Sequence, residues 1–461
     1  MRRTAPLAAL TARTAGEAVV VGLRKKLTGA ESTEFQVRTA ERYAELLGSS
    51  KGALMKAGQM LSFVSLGSAV DGEFQAIFQG AMTRLRNDAP PMAPPMAPEL
   101  AREVLERELG RPAEEAFAEI DWEPLAAASI GQVHAARLHD GRAVAVKVQY
   151  PGVGDAIEAD LKNTQLLGTF LGLMRGLSPR SPKLDIEGVS EEIGIRIREE
   201  LDYRAEAANQ TEFAEIYAGH PFIHVPAVVP EISTARVLTQ ELARGMSWSE
   251  ALDAGDDLRA DWAEAIYRFF YGSFVYNHLF NADPHPGNFL FHEDGSVTFL
   301  DFGCVKRLVP EEVESIDLVL RETLRGNVEE TWRLSIELDF FDPSGSLTHE
   351  EVFAYWREPV ELYWGEQPFT VTPDYVARLI ETRYLPTGPS ANAFHHITMP
   401  PAYTTLSRLD IGVMSLISRL RVAVPWAVVV AESIEGADPV TPMGKADRAW
   451  REGRGAVDGR A

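Results

Sequence analysis

The alternation of apolar and polar positions divides this 461-residue chain into short strands set among helices. Residues 132–138 and 143–148 are small, β-branched and apolar at strand spacing, and Asp140-Gly141 supplies the turn between them. Residues 236–239 form another strand-like run. Phe289-Leu-Phe and Val297-Thr-Phe-Leu300 predict a second hairpin around Asp294-Gly295. Helical spacing marks 34–88 (two helices), 99–119, 155–175, 189–218, 248–255 and 258–280. Residues 310–436 read as helices broken at Pro343, Pro368 and Pro386. No internal repeat is visible.

Proline and glycine punctuate this pattern. Ala89-Pro-Pro-Met-Ala-Pro-Pro-Met-Ala-Pro98 is a linker, because proline removes helix donors. The expected organisation is a basic leader (1–33), an extension with the linker (34–98), a small lobe with a helical insert (99–242), a large lobe (243–436) and a disordered tail (437–461). The tail assignment rests on its charge and glycine content. The apolar run 422–431 is shorter than the ~20 residues needed to span a bilayer, and Pro425 interrupts it.

Chemistry concentrates around the second hairpin. Asp283-Pro-His-Pro-Gly-Asn288 precedes it, and Asp301-Phe-Gly303 follows it. Phosphoryl transfer needs Mg²⁺ bridging the phosphates and a carboxylate beside the acceptor. Asp301 and Asn288 are the candidate Mg²⁺ ligands, Asp283 is the candidate base, and His285 is expected to order the loop. Lys147, in a β-branched apolar run, stands where a kinase strand lysine grips ATP phosphates. An exposed strand lysine is the competing reading. This chain uses Arg far more often than Lys, and the two are not interchangeable at a phosphate.

Where a glycine-rich loop is usual, the chain reads Ala126-Ala127-Ala128-Ser129-Ile-Gly131, a stiffer turn whose serine and amides can cradle phosphates. Asp202 and Glu206, four apart on the expected 189–218 helix, share a face; Glu206 is the candidate partner of Lys147. A solvated acidic stripe is the alternative. By position, Gln240, Glu241 and Leu242 form the hinge between lobes, with backbone groups that bond adenine.

Two further runs, Lys56-Ala-Gly-Gln59 and Glu200-Leu-Asp202, complete a set that resembles the UbiB family, also called aarF-domain kinases. The resemblance spans roughly residues 40 to 310. It implies an α+β, bilobal protein-kinase-like fold with a helical N-terminal extension and a largely helical C-terminal lobe. It further implies that Lys56 and Gln59 reach into the site to meet Glu200 and Asp202. ATP with Mg²⁺ is the implied cofactor, and the implied role is ATP binding and hydrolysis serving quinone or isoprenoid-lipid metabolism rather than protein phosphorylation. The Asp283–Asn288 loop is also similar to that of small-molecule phosphotransferases, which lack the Lys-x-Gly-Gln run. A nucleotide-gated lipid-binding scaffold is the third reading.

Charge and cysteine content narrow the partners. With 67 acidic against 45 basic residues, net −22, no nucleic-acid partner is expected. One cysteine, Cys304, suits a reducing cytoplasm. The first thirty residues reverse the charge: Arg2, Arg3, Arg13, Arg24, Lys25 and Lys26 face one acidic residue, Glu17. Such a segment is a peripheral membrane contact, a transit-type leader or a frayed tail. The expected location is cytoplasmic, with peripheral contact to the inner face of a membrane.

Overall fold

The computed structural model describes residues 96–128, 130–154, 201–343, 346–384, 392–393, 396–398 and 401–458. The expectations for residues 1–95, for Ser129, for the helix at 155–175 and for Glu200 lie outside them. The chain forms two compact units. One contains the described residues up to Ala205 together with Val229–Thr239; the other contains Glu206–Val228 and everything from Gln240 onward.

The first unit opens with α1 (Pro98–Leu109). Proline at its first turn costs no hydrogen bond, and Gly110 ends it in the left-handed conformation (φ 65°). Ala101, Val104 and Leu105 form its buried stripe. The single helix expected over 99–119 is therefore two, because Gly110 and Pro112 stop the first. A short α2 (Ala113–Ala116) follows, and then β1 (Glu119–Ile120).

β2 (Ala126–Ala127), β3 (Gly131–Arg137), β4 (Ala143–Gln149) and β6 (Val237–Glu241) join β1 in a five-stranded sheet, with β3 and β4 at its centre. β3 and β4 pair antiparallel from Gly131↔Gln149 to Arg137↔Ala143. Gly141 turns the chain at φ 92°, as the Asp-Gly signal predicts. Val144, Val146 and Val148 alternate onto one face and are buried with Val104, Leu105, Val229 and Val237. Period-two alternation places Lys147 on the other face.

The second unit is built on the long helix α5 (Asp256–Asn277), which follows α4 (Trp248–Leu252). The hairpin predicted from sequence is present as β8 (Phe289–Phe291) against β9 (Val297–Phe299), with Gly295 at φ 84°. β5 (Ile223–His224) adds to β9 in parallel, and α3 (Tyr203–Ile216) precedes it. Phe213, Tyr217, Phe222 and Ile223 join the core of Trp262, Phe269 and Phe270. Residues 206–228, expected in the small lobe, therefore pack with the large one. The helix expected over 189–218 begins, within the described residues, at Tyr203.

Beyond β10 (Val305–Arg307) the chain is mainly helical: α6 (Pro310–Leu324), α7 (Val328–Glu337), α8 (His349–Arg357), α9 (Glu361–Trp364), α10 (Pro373–Tyr384), α11 (Pro401–Leu420) and α12 (Trp426–Ile434). Short strands β11 (Phe369–Thr370) and β12 (Ala423–Val424) pair with each other. Among the described residues, no helix is long and apolar enough to cross a membrane.

The tail corrects the expectation of disorder. α13 (Pro442–Asp458) is a helix whose Trp450 stacks on Tyr217 (centroids 6.1 Å apart) and donates to the Ala218 carbonyl at 3.1 Å. Composition counts its charges and glycines but not partners more than 200 residues away. Asp447 of this helix meets buried His220 at 3.2 Å. His220 Nδ1 accepts the N–H groups of Phe222 (3.3 Å) and Ile223 (3.0 Å), so the ring is neutral with its proton on Nε2.

Burial pushes the His220 pKa below the usual histidine value, against the pull of Asp447. The unfolded chain takes up this proton near pH 6.5, while the folded chain takes it up only at lower pH, so folding stability drops as pH falls below about 6.5. In His220→Gln part of that drop disappears, as urea titrations at pH 7.5 and 5.5 should show. Equal pH slopes in both proteins would remove His220 from the account.

Candidate active site

Two β-ladders fix the loops that carry the chemistry. β7 (Leu279–Asn281) pairs with β10, and β8 pairs with β9. The segments 282–288 and 300–304 each run from one ladder to the other, so they lie side by side. Ala282 N–H donates to the Cys304 carbonyl at 2.7 Å, and Leu300 N–H to the Asn288 carbonyl at 3.0 Å. Asn288, at the end of a single 3₁₀ turn (Pro286–Asn288), thereby lies beside the segment that carries Asp301. His285 orders the turn, as expected: its Nδ1 accepts the Gly287 N–H at 3.1 Å.

A further cross-link comes from Asn281, which the sequence reading missed. Its side chain accepts the Asp283 N–H at 3.0 Å and donates to the Asp301 carbonyl. One buried amide thus spans both acidic loops. The available signal was a polar residue ending the apolar run Leu279-Phe280. Asp301 is held further by the Gly303 N–H on its Oδ1 (3.0 Å). Phe302 is fully buried against Phe213 (centroids 4.9 Å apart), and Asn209 donates to its carbonyl at 3.0 Å. Arg307 then bonds Asn209 and Glu212, which ties α3 to the loop.

A glycine with no visible role in the sequence supports the same loop. A Cβ on Gly412, in α11, would stand 2.6 Å from Pro284 Cγ. Gly412→Ala is expected to cost about 1–3 kcal/mol by overpacking. Adding Pro284→Ala should recover most of that, and denaturant titration of the single and double variants checks it. An unrecovered loss would mean that the contact is not the cause.

In the first unit, the alanine run is a tight hairpin. Ala126 and Ala127 pair with Val133 and Gln132, and Ala128 N–H donates to the Gly131 carbonyl at 2.9 Å. Gly131 is required for close packing: a Cβ there would lie 2.3 Å from the Val148 carbonyl oxygen. Lys147 sits opposite Val133, with its ammonium 5.0 Å from the centre of the Tyr203 ring.

Asp202 is not on a helix face with Glu206, as the helical reading proposed. It precedes the first turn of α3, its side chain accepts the Arg204 N–H, and its carboxylate forks onto the Arg204 guanidinium. Those hydrogen bonds hold the carboxyl below the usual range. Glu206 lies within α3 and is buried. Of the expected hinge, Gln240 bridges to Val228, and Glu241 N–H is already donated to the Ala227 carbonyl at 2.8 Å. That donor leaves the set expected to bond adenine. Leu242 follows the strand end. Lys56, Gln59, Ser129 and Glu200 are outside the described residues.

The donor set fits Mg²⁺ with nucleotide. Asp301 and Asn288 offer hard oxygen ligands from adjacent loops, and Mg²⁺ is usually held by one or two carboxylates plus substrate phosphates rather than by a protein cage. Among the described residues, no cluster of three or more His, Cys, Asp or Glu could hold a metal by itself.

The ABC1 atypical kinase-like domain matches residues 88–335. The mitochondrial atypical kinase COQ8B of Rattus norvegicus is 32% identical over 370 residues, 79% of this chain and 66% of that protein. The chloroplastic aarF domain-containing protein kinase At1g71810 of Arabidopsis thaliana is 40% identical over 208 residues, 45% of this chain and 28% of that protein. The chain therefore spans about two thirds or less of the length of these curated relatives. The structure of Rv3197 with erythromycin, from Mycobacterium tuberculosis, superposes with a TM-score of 0.62 at 29% identity, covering 91% of this chain and 98% of that one. Because the family match takes in more than half of the chain, including both acidic loops and the strand lysine, the chain belongs to the ABC1 atypical kinase-like family and has its kinase-like α+β fold.

Proposed function

We propose that this chain binds Mg-ATP and works as an atypical kinase or ATPase that serves quinone or isoprenoid-lipid metabolism. The observation that carries this reading is the Asn281 cross-link, which sets the backbones of Asp283 and Asp301 in one fixed relation beside Asn288. Asp301 and Asn288 hold the metal, and Lys147 takes up the phosphates as a compact cation. Bound Mg²⁺ supplies charge neutralisation at the phosphates. Asp283 orients the attacking hydroxyl or water and accepts its proton. The alanine hairpin at Ala126–Ala128 and Gly131 offers backbone amides to the phosphates, Gln240 and Leu242 contribute backbone at the adenine, and Glu206 is the acidic partner of Lys147.

Lys56 and Gln59 gate the site from the N-terminal extension by engaging Glu200 and Asp202. Arg204 already grips Asp202, so the extension must compete with it. The basic first thirty residues are the element for peripheral membrane contact.

Asp301→Asn should abolish the Mg²⁺ dependence of ATP affinity in a titration with a fluorescent nucleotide. Retained Mg²⁺ dependence would refute the assignment. A second reading, a nucleotide-gated binder of bulky small molecules with little turnover, is favoured by the relative solved with erythromycin. ATP hydrolysis measured with and without a phenolic lipid separates the two, since only the first predicts turnover that the lipid changes. Phosphotransfer from labelled ATP to hydroxylated acceptors tests the small-molecule phosphotransferase alternative.

A further inference from the structure

We infer that Tyr203 is the positioning residue for Lys147, holding its ammonium by the face of the ring. The inference rests on the proposed role of Lys147 at the nucleotide phosphates. Lys147 Nζ lies 5.0 Å from the ring centroid, within the range of a cation–π contact. Tyr203 is 1% exposed. Its ring is walled by the central hairpin, because a Cβ on Gly131 would come within 3.0 Å of the phenol oxygen. Its own N–H donates to the Ala235 carbonyl at 3.0 Å, which pins the start of α3 to the chain entering β6. All these groups belong to the same compact unit.

The chemistry explains the choice of an aromatic group. A carboxylate holds an ammonium by cancelling its charge. A ring face adds a hold through the quadrupole that cancels none of it, so the ring orients the ammonium alongside the acidic partner proposed for Lys147. A strand lysine has four rotatable bonds, and a buried ring beneath its end limits the ordering entropy that is otherwise lost on binding phosphate. Tyr203 follows Asp202 directly in sequence, and both belong to this unit.

The test is a double-variant cycle read as Mg-ATP dissociation constants. Lys147→Ala should weaken binding by about tenfold or more, and Tyr203→Leu by about tenfold. Tyr203→Phe, which keeps the ring, should stay within about twofold. In the Lys147→Ala background, Tyr203→Leu should add nothing. A phenylalanine carrying three ring fluorines at position 203 keeps the shape but drains the ring face, and it should bind nucleotide more weakly than Tyr203→Phe. This comparison holds even if Tyr203→Leu fails to fold.

An equal loss from Tyr203→Leu with and without Lys147, or no difference between the fluorinated and plain rings, overturns the inference. A separate spectroscopic reading isolates the contact from the nucleotide. In lysine-labelled protein, the Lys147 ε-methylene proton resonance should be ring-shifted upfield, and the shift should survive in Tyr203→Phe and vanish in Tyr203→Leu. If that shift is present while Lys147→Ala leaves ATP affinity unchanged, the phosphate role falls and the seat stands. If the shift is absent, the seat falls whatever the affinities.

Discussion

Replacing Arg268 with methionine should destabilise the second unit by about 3–5 kcal/mol, the range for removing one partner from a buried ion pair. Arg268 is at the centre of a buried cluster: it bonds Glu264 at 2.8 Å, Glu432 at 2.8 Å and Asp447 at 3.5 Å, and Thr441 at 3.3 Å. The acidic groups come from α5, α12 and α13, and Thr441 precedes the first turn of α13. Burial works against the Arg268 cation, and the hydrogen bond it donates to Glu432, with the charges of Glu264 and Glu432, outweighs it, so its pKa is raised. Burial pushes the Glu264 carboxyl up in spite of the Arg268 charge and the hydrogen bonds from Thr441 and Arg268.

Without the guanidinium, three acidic groups share an enclosed space. The backbone of α13 comes close to them, since a Cβ on Gly444 would lie 2.5 Å from Glu432 Oε1. Urea unfolding at pH 7 measures the effect. A loss below about 1 kcal/mol would mean that water reaches the cluster and screens it. Combining Arg268→Met with Glu264→Gln and Glu432→Gln should recover much of the loss, because neutral groups no longer repel one another.

Asn281→Ala should cost about 2–4 kcal/mol, since it orphans two backbone groups at once, the Asp283 N–H and the Asp301 carbonyl. Asn281 is 4% exposed, so water cannot easily replace the lost amide. The functional effect is expected to exceed the stability effect, because both acidic loops lose their common tie. Mg-ATP affinity should fall even at temperatures where the fold is intact. Hydrogen exchange at the Asp283 amide checks the mechanism directly: it should accelerate in the variant. An unchanged exchange rate there would show that Asn281 is not what holds the loop. Asn281→Asp keeps an acceptor for the Asp283 N–H but loses the donor to Asp301 and adds charge beside two carboxylates, so it should impair metal-dependent binding more than stability.

Much of the candidate site's framework was legible in the sequence. The Asp-Gly turn at 140–141, the hairpin around Gly295 and the alternation of Val144, Val146 and Val148 are local signals, and each appears where turn chemistry and period two place it. The acidic loops were read from residue types at short spacing. What escaped were residues whose role is a contact with something remote. Asn281 reads as one polar residue after an apolar run, Gly412 as one glycine in a helix, and Tyr203 as one aromatic after an acidic motif. The tail shows the same failure in reverse: its charges suggest disorder until Asp447 and Trp450 are seen against His220 and Tyr217.

Sequence by itself determined the family, the central strands and the positions of Lys147, Asp283, Asn288 and Asp301, because turn propensity, alternation and motif spacing are properties of neighbouring residues. Tertiary structure alone decided which unit residues 206–228 pack into, that Asp202 pairs with Arg204 rather than sharing a face with Glu206, and that α13 closes on α5. Those outcomes depend on burial and on partners brought together by the fold, and the energy of a buried charge or an apolar face is set by what surrounds it.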